Sequence, residues 1–177
     1  MPRILVCPLS RVHATVEATG ARWLVTLINV KTVVARPPSI GEQAHLFLGM
    51  SDIVVPMEGE VAPGEPHVDE LLAFVRRWDR QSPLLIHCYA GVSRSTAAAF
   101  IAACALDPER PEHEIAGRLR ALSPTATPNS MLVRIADAQL GRGGRMSTAI
   151  ASIGRGVECF EGVPFALPVP PLAVHIA

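Results

Sequence analysis

From Ser95 to Leu106 the chain has no polar face, running as Ser, Thr, Ala, Ala, Ala, Phe, Ile, Ala, Ala, Cys, Ala and Leu. A helix that is apolar all round is stable only when other structure covers every side of it, so this segment predicts a helix at the centre of a folded domain. Asp107-Pro108 ends it. Directly ahead of it, Pro83-Leu84-Leu85-Ile86-His87 is a short apolar run of the kind that forms a buried strand. A strand entering a central helix through a few loop residues makes the segment between them the natural focus of the fold.

The rest of the chain supplies the cover. Arg3 to Cys7, Arg22 to Ile28 and His45 to Gly49 read as three further strands, with Ser10 to Thr19 between the first two as a short helix capped by Ser10 and stopped by Gly20. Pro66 to Arg80 carries Val68, Leu71, Leu72, Val75 and Trp78 at helical spacing. Crossovers of 15 to 35 residues between strands favour parallel pairing. The expected fold class is therefore α/β: a mainly parallel central sheet of about four strands, flanked by helices on both faces. Beyond Pro108, helices are expected at Pro111 to Leu122, Asn129 to Leu140 and about 145 to 153. The Pro-rich tail, 156–177, cannot be regular helix but carries Val163, Phe165, Leu167 and Val169, and is expected to pack on the same single domain, 1–177.

Composition excludes several classes. With 16 basic and 16 acidic side chains the net charge is zero, which argues against holding nucleic acid or an anionic membrane by bulk attraction. All but one of the basic residues are arginine, the exception being Lys31, and they are dispersed as a coding bias would leave them. No apolar run exceeds 11 residues, against about 20 needed to span a bilayer. The segment Ile4 to Cys7 is too short for a secretory signal, so a cytoplasmic location is expected. Cys7, Cys88, Cys104 and Cys159 stand singly, without the spacing of a zinc site or a disulfide framework. Cys7 ends the first strand and reads as a plain core cysteine, although an approach to Cys88 there would permit a protective disulfide under oxidation. His13, His45, His67, His113 and His175 are scattered and read as surface or structural residues.

One segment carries chemistry. In His87-Cys88-Tyr89-Ala90-Gly91-Val92-Ser93-Arg94-Ser95 a cysteine precedes an arginine by six positions, between a buried strand and a buried helix. For the loop from Tyr89 to Arg94 to hold a phosphate, its N–H groups must turn inward, and Gly91 supplies the freedom for that turn. The positive end of the following helix points at the same place. The Arg94 guanidinium spans two oxygens of a bound phosphoryl group while the Cys88 sulfur sits in line with phosphorus, and these positive surroundings favour a thiolate nucleophile. His87 fixes the loop, and the Ser95 hydroxyl is placed to stabilise the sulfur as a leaving group.

This segment resembles the HCxxGxxR[ST] signature of the cysteine-dependent protein tyrosine phosphatases, and is most similar to their dual-specificity branch. Pro128-Asn129 resembles a Pro-Asn pair of that branch whose asparagine braces the phosphate loop; Asn129 reads equally as a simple helix N-cap. The resemblance implies a phosphatase fold, a phosphorylated protein or peptide as substrate, a phosphocysteine intermediate, no metal or other cofactor, and a loop aspartate as general acid. That acid must follow a strand at the same sheet edge as Cys88, a demand met by Asp52; Asp69 and Asp79 fall on the 66 to 80 helix, and Glu58, Glu60 and Glu65 are the alternatives. The loop interior lacks lysine, unlike family members that act on inositol lipids. Two rivals stay open: a phosphopeptide-binding module without a working acid, and a rhodanese-like sulfurtransferase, whose loop is usually shorter.

Overall fold

The computed structural model describes residues 1–172, so His175 and the end of the tail lie outside the described residues. Four parallel strands form the sheet: β1 (Arg3–Pro8), β2 (Trp23–Ile28), β3 (His45–Gly49) and β4 (Leu84–Cys88). A fifth, β5 (Phe165–Pro168), pairs antiparallel with β1, giving the order β3-β2-β4-β1-β5. The expected sheet of about four strands thus gains an edge strand from the Pro-rich tail. Proline is tolerated there because an edge strand leaves one row of backbone groups outside the ladder.

The strand order places β4 at the centre, between β1 and β2, so the segment that leaves its carboxyl end emerges among neighbours on both sides. All five residues of β4 are buried. Side chains alternate across the sheet: Leu84, Ile86 and Cys88 join the larger cluster, whereas Leu85 joins the smaller. On the larger face lie α2 (Glu65–Arg77), α3 (Arg94–Leu106), α4 (Glu112–Leu122), α5 (Ser130–Gln139) and α6 (Arg145–Ile153). The smaller face is covered by α1 (Val12–Thr19) through Val12 and Val16, with Ile40 from the loop after β2. Within α3 only Ala105 is not fully buried, as its unbroken apolar sequence demands.

Local signals succeeded unevenly. Gly20 closes α1 in the left-handed region (φ 68°), but Ser10 does not cap that helix. It sits in a single 3-10 turn, Leu9–Arg11, and its hydroxyl donates to the Glu161 carboxylate instead, leaving Arg11 at the N-cap. Asp79 is not helical either, because α2 ends at Arg77 with Trp78 as its extended cap. Among the described residues no helix is long and apolar enough to cross a membrane.

Candidate active site

The loop from Tyr89 to Ser93 is shaped by where its carbonyls go. Tyr89 O accepts from Leu9 N (3.0 Å), Ala90 O from Gly162 N (2.8 Å), Val92 O from Thr127 N (2.9 Å), and Ser93 O from Ala97 N (3.0 Å) and Asn129 N (3.3 Å). Every one of these donors lies outside the loop. With the carbonyls drawn outward, the N–H groups of Ala90 to Ser93 face the interior, and among the described residues none of them donates a hydrogen bond. Gly91 makes the curl possible. Its φ is +72°, and a Cβ there would lie 2.7 Å from Pro8 N and 2.8 Å from Cys7 C, so any side chain would collide with the end of β1.

Cys88 ends β4 on the face of the sheet that carries α3, with its Sγ 3.1 Å from the Ser95 Oγ in the first turn of that helix. Both residues are buried. Cys7 is different. Its register partner is His87, and it belongs to the cluster on the opposite face from Cys88, so the strand pleat separates the two thiols and Cys7 is a buried core cysteine; all four cysteines are free. Burial also pushes the Cys7 thiol up to about 12, far from a reactive thiolate.

Arg94 opens α3 with its guanidinium buried. Nη1 donates to Asn29 Oδ1 (3.0 Å) and to the Met50 carbonyl (2.7 Å), which fixes the plane of the fork. Nε is buried without a hydrogen-bond partner, its nearest acidic atom being Asp52 Oδ2 at 3.9 Å. A buried guanidinium nitrogen left unpaired costs free energy, which a bound oxyanion would recover.

Asp52 follows β3 by three residues and reaches the loop as its position at the sheet edge implied. Oδ1 accepts from Ser93 Oγ (2.7 Å) and from Asn129 Nδ2 (2.9 Å). Asn129 also donates to the Ile53 carbonyl (3.1 Å), and its Oδ1 accepts from Met131 N and Leu132 N at the start of α5. The Asn129 side chain caps α5 while its backbone N–H donates to the Ser93 carbonyl. It has a third contact that neither reading foresaw, the clasp on Asp52. Of the alternatives, Glu60 accepts from Ser51, Glu65 begins α2, and Glu58 is exposed.

His87 points away from Cys88 to the other face. Its Nδ1 lies 3.4 Å from the Cys88 carbonyl, which only accepts, so Nδ1 carries the proton and Nε2 is left as an acceptor. Thr26 Oγ1 donates to that Nε2 (2.8 Å) and accepts from His45 Nε2 (2.9 Å). Burial, the largest cause, pushes the His87 ring down to about 4, so it is neutral at ordinary pH. Sequence reasoning missed Thr26, Asn29 and the Ser93 hydroxyl. Asn29 was within reach of the rule that picked Asp52, because it too directly follows a parallel strand at the carboxyl edge.

No family model matches the sequence, and no curated protein matches it. Solved structures do match. The PTP-2 phosphatase of Cydia pomonella aligns with a TM-score of 0.60 at 17% identity, covering 76% of this chain and 84% of that one. DUSP15 aligns with a TM-score of 0.62 at 14% identity, over 86% of this chain and 91% of its own. The human tyrosine phosphatase-like serine/threonine/tyrosine-interacting protein aligns at 0.60 and 15% identity, over 79% and 92%. The fold of this chain is that of the tyrosine and dual-specificity phosphatases.

Proposed function

We propose that this protein is a phosphoprotein phosphatase that hydrolyses phosphate monoesters, phosphotyrosine foremost and phosphoserine or phosphothreonine in addition, through a phosphocysteine intermediate. The observation that carries the reading is the polarity of the loop that joins Cys88 to α3: its carbonyls bond outward, its N–H groups are left without acceptors, and the buried Nε of Arg94 at its end is unpaired. Tyr89, Ala90, Gly91, Val92, Ser93 and Arg94 hold the phosphoryl oxygens.

In the first step the Cys88 sulfur attacks phosphorus, forming an S–P bond as the P–O bond to the substrate breaks. Asp52 gives a proton to the departing oxygen. Ser93 and Asn129 occupy Oδ1, so Oδ2 is the oxygen available to carry that proton. Arg94 and the loop N–H groups stabilise the charge spread over the equatorial oxygens of the transition state. In the second step water attacks phosphorus, Asp52 takes a proton from it, and the S–P bond breaks as the Ser95 hydroxyl donates to the sulfur at 3.1 Å. Inorganic phosphate leaves and the thiolate is restored. Every charge that develops has a protein group facing it, so the mechanism draws on no metal.

Release of inorganic phosphate from p-nitrophenyl phosphate by wild type and Cys88→Ser tests this. The serine variant should keep the fold and bind phosphopeptide while losing about 10⁴-fold or more in turnover, because a hydroxyl without an adjacent base is a poor nucleophile. Binding without turnover in the wild type would make the protein a phosphopeptide reader. Thiocyanate formed from thiosulfate and cyanide would make it a sulfurtransferase.

A further inference from the structure

The surface around the loop is unusually apolar for a phosphate site. Apart from Met1, Phe47 and Leu172, every exposed large apolar side chain among the described residues lies on a loop leaving the carboxyl edge of the sheet, or on the tail that crosses it. Val54 and Val55 follow Asp52, and Tyr89 follows Cys88. Val157, Phe160 and Val163, at 66%, 85% and 78% exposure, belong to the tail.

That tail is tied to the site. Gly156 N donates to Thr127 Oγ1 (3.0 Å), Val157 N to Pro124 O (3.0 Å) and Gly162 N to Ala90 O (2.8 Å). Gly156 and Gly162 allow the close approach, since a Cβ on the first would lie 2.5 Å from Thr125 and on the second 3.0 Å from Gly91 O. Between the tail and the loop runs a groove of about 880 Å³, lined by Val54, Val92, Pro128, Ile150 and Val157 and sharing Ser93 with the phosphate site. Its charges are few: Arg155 is already paired with Glu158 at 3.1 Å, and Glu161, next to the Gly162 that is tied to Ala90, adds a further carboxylate.

Resting on the phosphatase reading above, we infer that this mouth docks a phosphorylated protein segment whose residues beside the phosphorylated side chain are apolar and free of carboxylates. Apolar groups exposed on both walls of a groove gain by covering one another's surface from water. The carboxylates at the rim repel acidic flanks and equally disfavour an anionic lipid surface, which attracts Lys and Arg rather than Glu. The charge pattern therefore selects a protein segment over a membrane.

The test compares kcat/KM for phosphotyrosine peptides with valine and leucine flanks against aspartate and glutamate flanks, using wild type, Phe160→Asp and Val157→Asp, with p-nitrophenyl phosphate as a reference that needs only the phosphate site. Apolar flanks should be preferred by about tenfold or more, the scale of burying one apolar side chain. In either variant the ratio of apolar-peptide to p-nitrophenyl phosphate kcat/KM should fall by a similar factor. Both positions are exposed, so the fold should survive. Hydrolysis of p-nitrophenyl phosphate with no peptide preference would overturn this inference alone, whereas failure on p-nitrophenyl phosphate would overturn the phosphatase reading beneath it. Sedimentation with phosphatidylserine vesicles, abolished by Phe160→Asp, would replace the protein segment with a membrane and so overturn the inference too.

Discussion

The two halves of the site are held in different ways. The half that carries Cys88 and Arg94 is fixed by main chain, with four loop carbonyls tied to five residues from four separate segments and Gly91 pressed against the end of β1. The half that carries Asp52 hangs on a long connection between β3 and α2 and is joined to the first half by side chains alone at the acid itself: Ser93, Asn129 and the distant Arg94 Nε. Main-chain fixation cannot be removed by one side-chain change, and it places the groups that the proposed mechanism uses in every turnover. Side-chain fixation can be loosened bond by bond. Substitutions in the first half should therefore act on all substrates alike, and substitutions in the second by degrees that depend on the leaving group.

The largest effect is expected at Arg94. Lysine keeps the charge but has neither the second prong for the phosphoryl oxygens nor the planar fork that Asn29 and Met50 orient. Arg94→Lys should lower kcat/KM about 10³-fold, the lower range for a guanidinium that stabilises phosphoryl transfer, and by the same factor for p-nitrophenyl phosphate and phosphotyrosine. Wild-type kinetics in that variant would disprove the arrangement. Asn29→Ala, which frees one prong without removing it, should give a smaller uniform loss.

Asp52→Asn should come next, at about 100-fold on phosphotyrosine, the usual contribution of general acid catalysis. Unlike the arginine variant it should discriminate, sparing aryl phosphates whose phenol departs without help as long as phosphocysteine formation limits the rate. Equal losses on every leaving group would place Asp52 among the residues that merely shape the loop, and the same series should then be run on Glu58, Glu60 and Glu65.

The same division explains what the sequence could disclose. Cys88, Gly91, Arg94 and Ser95 were legible because a loop that must turn its N–H groups inward needs particular residues at fixed spacing, and the flanking strand and helix declare themselves by composition. Asp52 was legible only through the rule that sites gather at the carboxyl edge of parallel strands. Asn129 showed its cap but not its clasp, since nothing local in Pro128-Asn129-Ser130 reveals a partner 77 positions away. Thr26 was hidden inside an apolar strand run, where a hydroxyl passes as an ordinary β-branched residue. The insertion of β4 between β1 and β2 and the capture of the tail as β5 are long-range pairings that no window of sequence contains. Ser10 misled because a favourable cap residue found a better acceptor in Glu161.

A smaller effect separates the two roles of Asn129. Asn129→Asp keeps an oxygen to accept from Met131 N and Leu132 N, so the cap on α5 survives, but it removes the donor to Asp52 and sets a second carboxylate beside it. Turnover on phosphotyrosine should fall about tenfold, the worth of one hydrogen bond to a charged group, with melting temperature nearly unchanged. Ser93→Ala should fall by less, because Asn129 still holds the same oxygen. If Asn129→Asp lost stability and not rate, the clasp would be incidental to catalysis.

The smallest catalytic effect, and the sharpest structural one, should lie behind the loop at Thr26. Its hydroxyl donates to the bare Nε2 of His87, the residue whose Nδ1 faces the Cys88 carbonyl. In the folded state that ring takes up a proton only near pH 4, against 6.5 for a free imidazole. Between those values the unfolded chain binds the extra proton, so stability is fully present above pH 6.5 and declines as the pH falls toward 4, by up to about 3 kcal/mol. Thr26→Val keeps the shape and removes the donor, leaving Nε2 buried and unpaired at a cost of about 1–3 kcal/mol. That bond serves the neutral ring, so its loss weakens the preference for neutrality and flattens the acid limb. Urea unfolding of wild type and Thr26→Val should accordingly show a gap at pH 7.5 that narrows at pH 5, with turnover per folded molecule within a few-fold of wild type. His45, whose Nε2 donates to the same hydroxyl and which burial also pushes down, shares the effect; pairing the variant with His45→Gln isolates the His87 contribution. A gap independent of pH would mean that Nε2, not Nδ1, carries the His87 proton, and the loop would then lack the anchor assigned to it at the Cys88 carbonyl.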